Sequence, residues 1–217
     1  MAGPDGMSWL STISAHFRRR RMERFARELQ ITAATRVLDI GGTPDCWDLL
    51  PVRPRLTLLN TPRAQAEIGA ARWVAGDGRA LPFRDGAFDV VFSNSVIEHV
   101  GDRESQRRFA AEVARVGRRY WVQTPNRWFP VEQHLLTPLV HWAPRRWQRA
   151  IVPRCNLWSA LIRVTPDRQR FFIQHYLSDV RLLSADEVHE LFPGARLIRE
   201  RFCGWTKSLV AYSARTR

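Results

Sequence analysis

An acidic residue followed by two glycines is the feature of this sequence best suited to bind a ligand. The apolar run that starts at Val37 reaches Asp39, and Gly41 and Gly42 follow. Glycine has no Cβ and can adopt positive φ, so the backbone at such a junction can approach a ligand closely. The acid supplies hydrogen-bond acceptors at the carboxyl edge of a parallel sheet, where α/β proteins bind their ligands. The junction therefore predicts a small-molecule site.

Short strands that alternate with helices must position this junction. Apolar runs predict strands at 37–40, 55–60, 72–75, 88–93, 120–123, about 196–202 and about 208–213. Helical patterns cover residues 8 to about 30, 105–116 and 184–192. The first helix has Trp9 and Ile13 on its apolar side and the arginines at 18–21 on its polar side. In the last helix, Ser184 and Glu187 fit a capping box. This order of strands and helices predicts an α/β fold: a three-layer α/β/α Rossmann-like sandwich around a seven-stranded, mostly parallel sheet, with a helical insertion after the fifth strand.

Three sequence blocks resemble the class I S-adenosylmethionine-dependent methyltransferases, in the broad small-molecule group often called type 11. The blocks are Val37–Gly42, Gly76–Phe83 and Phe88–Val100. The resemblance covers roughly residues 32–126 and, more loosely, the final helix and strands. It implies a methyltransferase fold, S-adenosylmethionine as cofactor, and transfer of its methyl group to an acceptor.

The residue pattern and the resemblance together divide a single predicted domain, residues 1–217, into four parts. An N-terminal basic amphipathic helix (1–31) precedes the cofactor-binding core (32–126). An insertion or lid rich in aromatic residues and arginine (127–180) follows, and a C-terminal helix with two strands (181–217) completes the chain.

The resemblance also implies where each part of the cofactor lies. Asp39 and the backbone of residues 41–43 would line its methionine and ribose part, and Asn60 would contact the ribose hydroxyls. Asp77 would accept from the adenine amino group, and Asn94 would lie beneath the sulfonium. The full predicted set is Asp39, Gly41, Gly42, Thr43, Asn60, Asp77, Gly78, Arg79, Asn94 and Ser95.

The chain departs from the family pattern at three of its positions. Thr43 and Asp45 stand where the family usually has glycines, so the loop must be shaped differently. Asn60 stands where the family usually has an acid, and it offers one acceptor and one donor but no charge. We expect weaker ribose binding as a result.

Two histidines are the candidate catalytic bases. Methyl transfer depends mainly on aligning the acceptor with the methyl group and sulfur, and a base helps if the acceptor is a hydroxyl or an acidic carbon. His99 follows the fourth strand on the cofactor side, and His134 lies after the fifth strand, where substrate would enter. A structural hydrogen-bonding role is the alternative for His99. Neither histidine has a second potential metal ligand nearby in the sequence at a spacing typical of metal sites, so no metal site is predicted.

The insertion at 127–180 interleaves aromatic residues with arginines. Its aromatic residues include Trp128, Trp142, Trp147, Trp158, Phe171, Phe172 and Tyr176. The pattern suits a lid over an apolar or anionic acceptor. It equally suits a surface that lies on an acidic membrane with the N-terminal helix, or a platform that stacks nucleic-acid bases. An ordinary helical subdomain is the fourth interpretation.

The net charge of +13, from 34 basic and 21 acidic residues, favours an anionic partner. That partner is nucleic acid, acidic lipid or a phosphorylated substrate. No apolar run is long enough to cross a bilayer, and the N-terminus lacks the pattern of a secretory signal. Cys46, Cys155 and Cys203 are scattered, which favours a reducing compartment. We expect a cytoplasmic protein, with peripheral membrane binding as an option.

The leading hypothesis is a methyltransferase that modifies an oxygen or carbon of a small-molecule or lipid-like acceptor. One alternative is a non-catalytic methyltransferase-like binding or scaffold module, which the altered glycine loop motivates. Another is an RNA methyltransferase, although Ser93–Val96 lacks the Asn/Asp-Pro-Pro-aromatic motif of base-amino methyltransferases. Residues 41–46 lack the Gly-x-Gly-x-x-Gly spacing of nicotinamide-dependent reductases.

Overall fold

A seven-stranded sheet forms the centre of the molecule and confirms the predicted architecture. The computed structural model describes residues 8–61, 72–134, 136–153, 173–174, 176–177 and 180–213. The sheet contains β1 (Arg36–Ile40), β2 (Arg55–Asn60), β3 (Arg72–Ala75), β4 (Val90–Asn94), β5 (Tyr120–Pro125), β8 (Arg196–Phe202) and β9 (Trp205–Tyr212). A separate two-stranded ribbon pairs β6 (Val131–Glu132) with β7 (Thr137–Pro138). The helices are α1 (Ser8–Glu28), α2 (Arg103–Val116), α3 (Arg145–Ile151) and α4 (Ala185–Leu191).

The strand order is β3-β2-β1-β4-β5-β9-β8. Strands β1 to β5 run parallel, whereas β9 is antiparallel to β5 and β8 is antiparallel to β9. The chain leaves β1 toward β2 and β3 on one side, then returns to place β4 and β5 on the other. This reversal creates a crevice at the carboxyl ends of β1 and β4, the position at which open α/β sheets bind ligands.

Helices cover both faces of the sheet. Met22, Phe25 and Leu29 of α1 pack on one face, and Phe109 and Val113 of α2 pack on the other. These apolar side chains recur at three- and four-residue spacing, which places them on one side of each helix.

The predicted capping box starts α4. The Ser184 hydroxyl accepts from the Glu187 backbone N–H at 3.2 Å, and the Glu187 carboxylate accepts from the Ser184 N–H at 2.9 Å. Two backbone donors that the helix itself cannot satisfy are thereby paired.

The arginine run of α1 is only partly on the polar side, which corrects the prediction for Arg21. Residues 18–20 are exposed. The guanidinium of Arg21 is buried and forms an ion pair with Glu200 of β8 at 2.5 Å. The helix packs across the sheet so that Arg21 reaches the carboxyl ends of β4 and β5, where polar side chains can pair with it.

The described part of the insertion has a small core of its own. Val140, Val152, Ile173, Tyr176 and Val180 are buried together. In the part of the chain that the structure describes, no helix is both long enough and apolar enough to cross a bilayer. Cys46 and Cys203 are free thiols. The side chains of Trp9 and Ile13, which helped to predict α1, lie outside the described residues, as do Cys155, Trp158, Phe171 and Phe172.

Candidate active site

The loop after β1 has a shape that its two glycines make feasible. Gly41 has φ of +75°, and a Cβ there would lie 2.5 Å from a methyl group of Val96. A Cβ on Gly42 would lie 1.7 Å from an Asp39 carboxylate oxygen. Both distances are too short for any other residue unless the loop moves.

The side chain of Asp39 lies directly against this loop, next to Gly42. Its side chain is fully buried, and one carboxylate oxygen accepts from the indole N–H of Trp47 at 2.8 Å. The other oxygen has no hydrogen-bond partner among the described residues. Burial raises the pKa of Asp39 to about 8, although the bond from Trp47 opposes this rise. The carboxylate faces the protein interior, so its predicted contact with the cofactor stays a prediction.

The departure from the family's glycine pattern has a structural counterpart. Residues Pro44–Leu49 form a short 3₁₀ helix that begins directly after Thr43. Thr43 has φ of −122°, an extended conformation that needs no glycine. This helix carries Trp47 into the core, where its indole binds Asp39. The buried side chain of Trp47 therefore fixes the end of this loop.

A cavity of about 450 Å³ opens above the carboxyl ends of β1, β2 and β3. Five predicted cofactor-binding residues line it, together with one predicted catalytic residue: Gly41, Asn60, Asp77, Gly78, Arg79 and His99. Asp39, Gly42, Thr43, Asn94 and Ser95 are absent from its described wall.

Asn60 connects the ends of β1 and β2. Its amide nitrogen donates to the carbonyl oxygen of Gly42 at 2.9 Å. Because this bond uses the donor side of the amide, the carbonyl oxygen of Asn60 is the atom suited to accept from a ribose hydroxyl.

Asp77 and Arg79 form a clamp at the far end of the cavity. Three guanidinium contacts to the Asp77 carboxylate measure 2.6–3.0 Å, and the Arg79 backbone N–H adds a fourth bond at 2.9 Å. The Arg79 side chain also donates to the carbonyl of Val100 at 3.2 Å. These bonds from Arg79 hold the pKa of Asp77 below its usual value. Gly78 lets the loop lie against Phe109, since a Cβ there would be 2.7 Å from that ring.

Asn94 is the last residue of β4, and Ser95 follows it. The Asn94 side-chain oxygen accepts from Arg21 at 2.5 Å, and the Ser95 hydroxyl bonds to the Gln123 side chain at 2.9 Å. Ser95 adopts φ of +58°, a conformation that is uncommon outside glycine. Their predicted position beneath the sulfonium stays a prediction.

The structure brings the two predicted catalytic histidines together. The Nε2 atoms of His99 and His134 are 3.1 Å apart. His134 Nδ1 lies 2.6 Å from a carboxylate oxygen of Glu132, which is buried. Burial disfavours the charged form of His134, but the bond to Glu132 and the charges of Glu132 and Glu98 outweigh it and raise the pKa of His134.

Two acidic residues of this cluster escaped the sequence analysis. Glu98 is fully buried and accepts from the Thr124 hydroxyl at 3.0 Å; burial raises the pKa of Glu98 to about 7. Glu132 holds His134. The adjacent pair Glu98–His99 and the spacing Glu132-x-His134 are visible in the sequence, but 35 residues separate the histidines and only the sheet order joins them.

A second cavity, of about 310 Å³, lies within the insertion. Arg127, Arg145, Arg181 and His141 line it, together with Tyr176. The Tyr176 ring lies 6.4 Å from the His134 ring. A positively charged cavity therefore lies close to the histidine pair.

Comparisons with known proteins agree with the observed fold. Residues 52–119 match the model of a methyltransferase domain family, Methyltransf_11. No curated protein sequence matches the chain. Among solved structures, magnesium protoporphyrin IX methyltransferase from Synechocystis PCC 6803, solved with bound S-adenosylhomocysteine, is similar at a TM-score of 0.53. It is 10% identical, and the match covers 94% of this chain and 84% of that one.

Two further structures are similar over most of their length. A Rhodobacter sphaeroides protein assigned as a zinc-dependent alcohol dehydrogenase has a TM-score of 0.54 at 12% identity, covering 85% of both chains. A Haloferax volcanii protein assigned as a methyltransferase, in complex with the activator Trm112, has a TM-score of 0.50 at 16% identity. That match covers 91% of this chain and 92% of the other. At these identities the likeness concerns the fold.

The match of residues 52–119 to a methyltransferase domain and the sheet topology both support a class I S-adenosylmethionine-dependent methyltransferase, with S-adenosylmethionine as the cofactor. The residues present fit that cofactor. The first cavity has close-packed glycine backbone at one end, a carboxylate at the other, and the Asn60 amide between them.

Proposed function

We propose that this enzyme methylates an oxygen or carbon atom of a small-molecule or lipid-like acceptor that carries an anionic group. One observation carries the proposal: His99 lines the first cavity, and its Nε2 lies 3.1 Å from that of His134 in the insertion. Two imidazole groups that can activate an acceptor therefore lie between the first cavity, on the cofactor side, and the arginine-lined second cavity.

The cofactor would lie along the first cavity. Gly41 would face its methionine end, Asn60 its ribose and Asp77 its adenine, with Gly78 and Arg79 at the ring edge. When bound, S-adenosylmethionine supplies an activated methyl group, so the protein's main task is to hold the acceptor in line with it.

The acceptor would approach from the insertion. Three arginines line the second cavity, and the guanidinium group matches the geometry of carboxylate and phosphate oxygens. Arg145 and Arg181 also bond to protein groups, which fixes their positions. An acceptor whose anionic group lies in this cavity would place its reactive end near His134.

The insertion also favours a location at the cytoplasmic surface of a membrane. Trp128 and Trp147 are more than half exposed, at 57% and 56%, and Trp142 is exposed as well. Helix α3 places Arg145, Arg146 and Arg149 beside Trp147, and all of them are exposed. Tryptophan and arginine together suit the interface of an acidic bilayer.

The acceptor class can be tested with methyl-labelled S-adenosylmethionine and separate lipid, small-molecule and RNA extracts. We expect label in the lipid or small-molecule fraction. Arg127→Met, which removes a cationic group from the cavity, should raise the KM for that acceptor. Arg84→Met serves as the matched control, because this exposed arginine lies outside both the cavity and the insertion. Label found in RNA and lost after ribonuclease treatment would contradict the proposed acceptor.

A further inference from the structure

We propose that Glu98, His99 and His134 bind one divalent transition-metal ion. One donor atom from each residue lies within 4.8 Å of the other two. The three come from two places in the fold: the 3₁₀ turn Ile97–His99 after β4, and the loop after β6. The sequence shows no ligand spacing because the sheet, not the local chain, brings them together.

The separation of the two imidazole nitrogens fits ligands of a shared ion. A His nitrogen lies about 2.0–2.1 Å from Zn²⁺. When the N–Zn–N angle lies between the octahedral and the tetrahedral value, the two ligand nitrogens are about 2.9–3.4 Å apart. The observed Nε2–Nε2 distance is 3.1 Å, and the rings are perpendicular, at 90°. The observed distance therefore lies within the range expected for two ligands of one ion.

The surroundings of His134 prepare it as a ligand. Its Nδ1 lies 2.6 Å from the buried Glu132 carboxylate, which favours an Nδ1–H tautomer and leaves the Nε2 lone pair directed at His99. Metal-binding histidines commonly donate their second nitrogen to a carboxylate in this way. The Tyr176 ring lies beside the His134 ring, with the two centroids 6.4 Å apart.

Glu98 supplies the negative charge that such a site needs. The residue is fully buried, and Thr124 bonds to one of its carboxylate oxygens at 3.0 Å. Among the described residues, the other oxygen has no hydrogen-bond partner. A buried carboxylate oxygen without a partner is costly, and coordination to a cation would satisfy it.

Two imidazoles and one carboxylate define the class of ion. This donor set suits Zn²⁺, Fe²⁺ and related first-row ions, whereas Mg²⁺ and Ca²⁺ prefer oxygen ligands alone. Three protein ligands would leave positions open for water or an acceptor oxygen. Because His99 lines the first cavity, the ion would lie beside it and would favour ionisation of a bound hydroxyl. That catalytic use rests on the proposed function; binding of the ion does not.

The test is zinc titration by calorimetry of the full chain, free of affinity tags and freed of metal with chelator. We expect one equivalent of Zn²⁺ to bind, and Co²⁺ to give visible absorption bands in its place. His134→Ala and Glu98→Gln should each weaken zinc binding severely. Glu132→Gln should weaken it by about 10–100-fold, the usual effect of removing a ligand's supporting carboxylate.

A histidine outside the cluster provides the control for this titration. His189→Ala, in α4, should bind zinc like the parent. Circular dichroism and S-adenosylmethionine binding show whether each variant folds, and His99→Ala replaces any variant that does not. No zinc binding, or equal binding by parent and His134→Ala, would overturn the proposal.

The metal proposal and the proposed function fail in different ways. If the protein binds no zinc and still transfers methyl groups in the presence of chelator, the metal proposal is contradicted and the proposed function is not. Stoichiometric zinc binding that the His134→Ala variant loses, without methylation of any small-molecule or lipid acceptor, would establish the site and contradict the function.

Discussion

Asp77 is the residue whose side chain we propose to contact the adenine of the cofactor. We expect Asp77→Ala to weaken S-adenosylmethionine binding by about 10–100-fold, because a hydrogen bond to a charged group contributes about 1.5–3 kcal/mol. The fold should persist, since the Asp77–Arg79 ion pair is half exposed. Calorimetric titration measures the affinity.

Asp85→Ala is the control for that titration. Asp85 is an exposed aspartate that also pairs with an arginine, Arg115, but it does not line the first cavity. Its removal should leave cofactor affinity unchanged. Equal affinity of the parent and Asp77→Ala would mean that adenine binds elsewhere.

Asp39 should make the stability of the protein depend on pH. Its pKa is raised to about 8 by burial, whereas an aspartate in the unfolded chain titrates near 3.9. Between these values the folded state holds a proton that the unfolded state has lost. The free energy of unfolding contributed by Asp39 is therefore greatest below about pH 4 and falls as the pH rises to about 8.

Asp39→Asn removes this titration and keeps an oxygen that can accept from Trp47. Urea unfolding of both proteins at several values between about pH 5 and pH 8 measures the effect. The stability of the variant relative to the parent should rise with pH, by up to about 1.4 kcal/mol per pH unit. Parallel pH profiles would show that Asp39 is ionised in the folded protein.

At the scale of elements, one ion pair holds α1 to the sheet edge. The side chains of Arg21 and Glu200 are 9% and 13% exposed, and Arg21 also bonds to Asn94 and Gln123. Removing one partner of a buried pair leaves an uncompensated charge. We expect Arg21→Met to lower the free energy of unfolding by about 3–5 kcal/mol.

Chemical denaturation compares this variant with Arg20→Met, which removes an exposed neighbour and should change stability by less than about 0.5 kcal/mol. The double variant Arg21→Met/Glu200→Met should recover part of the loss, because both charges are then gone. Equal stability of both single variants would mean that the pair contributes little to the docking of α1.

The elements themselves were largely predictable from local pattern. Five runs of residues gave β1 to β5 close to their observed bounds. The signal is strongest for β1, β4 and β5, because strands that are almost wholly buried must be largely apolar. The ribbon β6–β7 was missed, since each strand has only two residues. The burial of Arg21 was missed for another reason. Its partner Glu200 is 179 residues away, and helical periodicity carries no information about such a contact.

The candidate site was predictable where backbone shape decides it and unpredictable where distant side chains meet. Gly41 and Gly42 predict a tight loop, and the structure has one. The sequence could not show that Trp47 would turn Asp39 inward, or that His134 would meet His99. Both outcomes depend on how a segment after a strand folds back over the sheet.

At the scale of the whole molecule, the positive charge is distributed over more than one surface. Arg20, Arg24, Arg27, Arg199 and Arg201 line a groove between α1 and the edge strand β8. Three exposed tryptophans, Trp128, Trp142 and Trp147, lie with arginines in the insertion, and a fourth, Trp205, begins β9. Charge alone attracts nucleic acid and acidic lipid equally, whereas exposed aromatic side chains add a preference for the bilayer interface.

The insertion should therefore dominate membrane binding. We expect the protein to bind vesicles containing acidic lipid, and Trp128→Ser/Trp147→Ser to reduce the partition coefficient by at least about tenfold, equivalent to a loss of roughly 1.4 kcal/mol. Sedimentation with vesicles measures it. Val52→Ser is the control, because Val52 is an exposed apolar residue that precedes the amino end of β2.

If α1 were the contact instead, replacing Arg18, Arg19 and Arg20 by serine would release the protein while the tryptophan variant stayed bound. Arg21 must stay in that experiment, since its loss would disturb the fold rather than the surface.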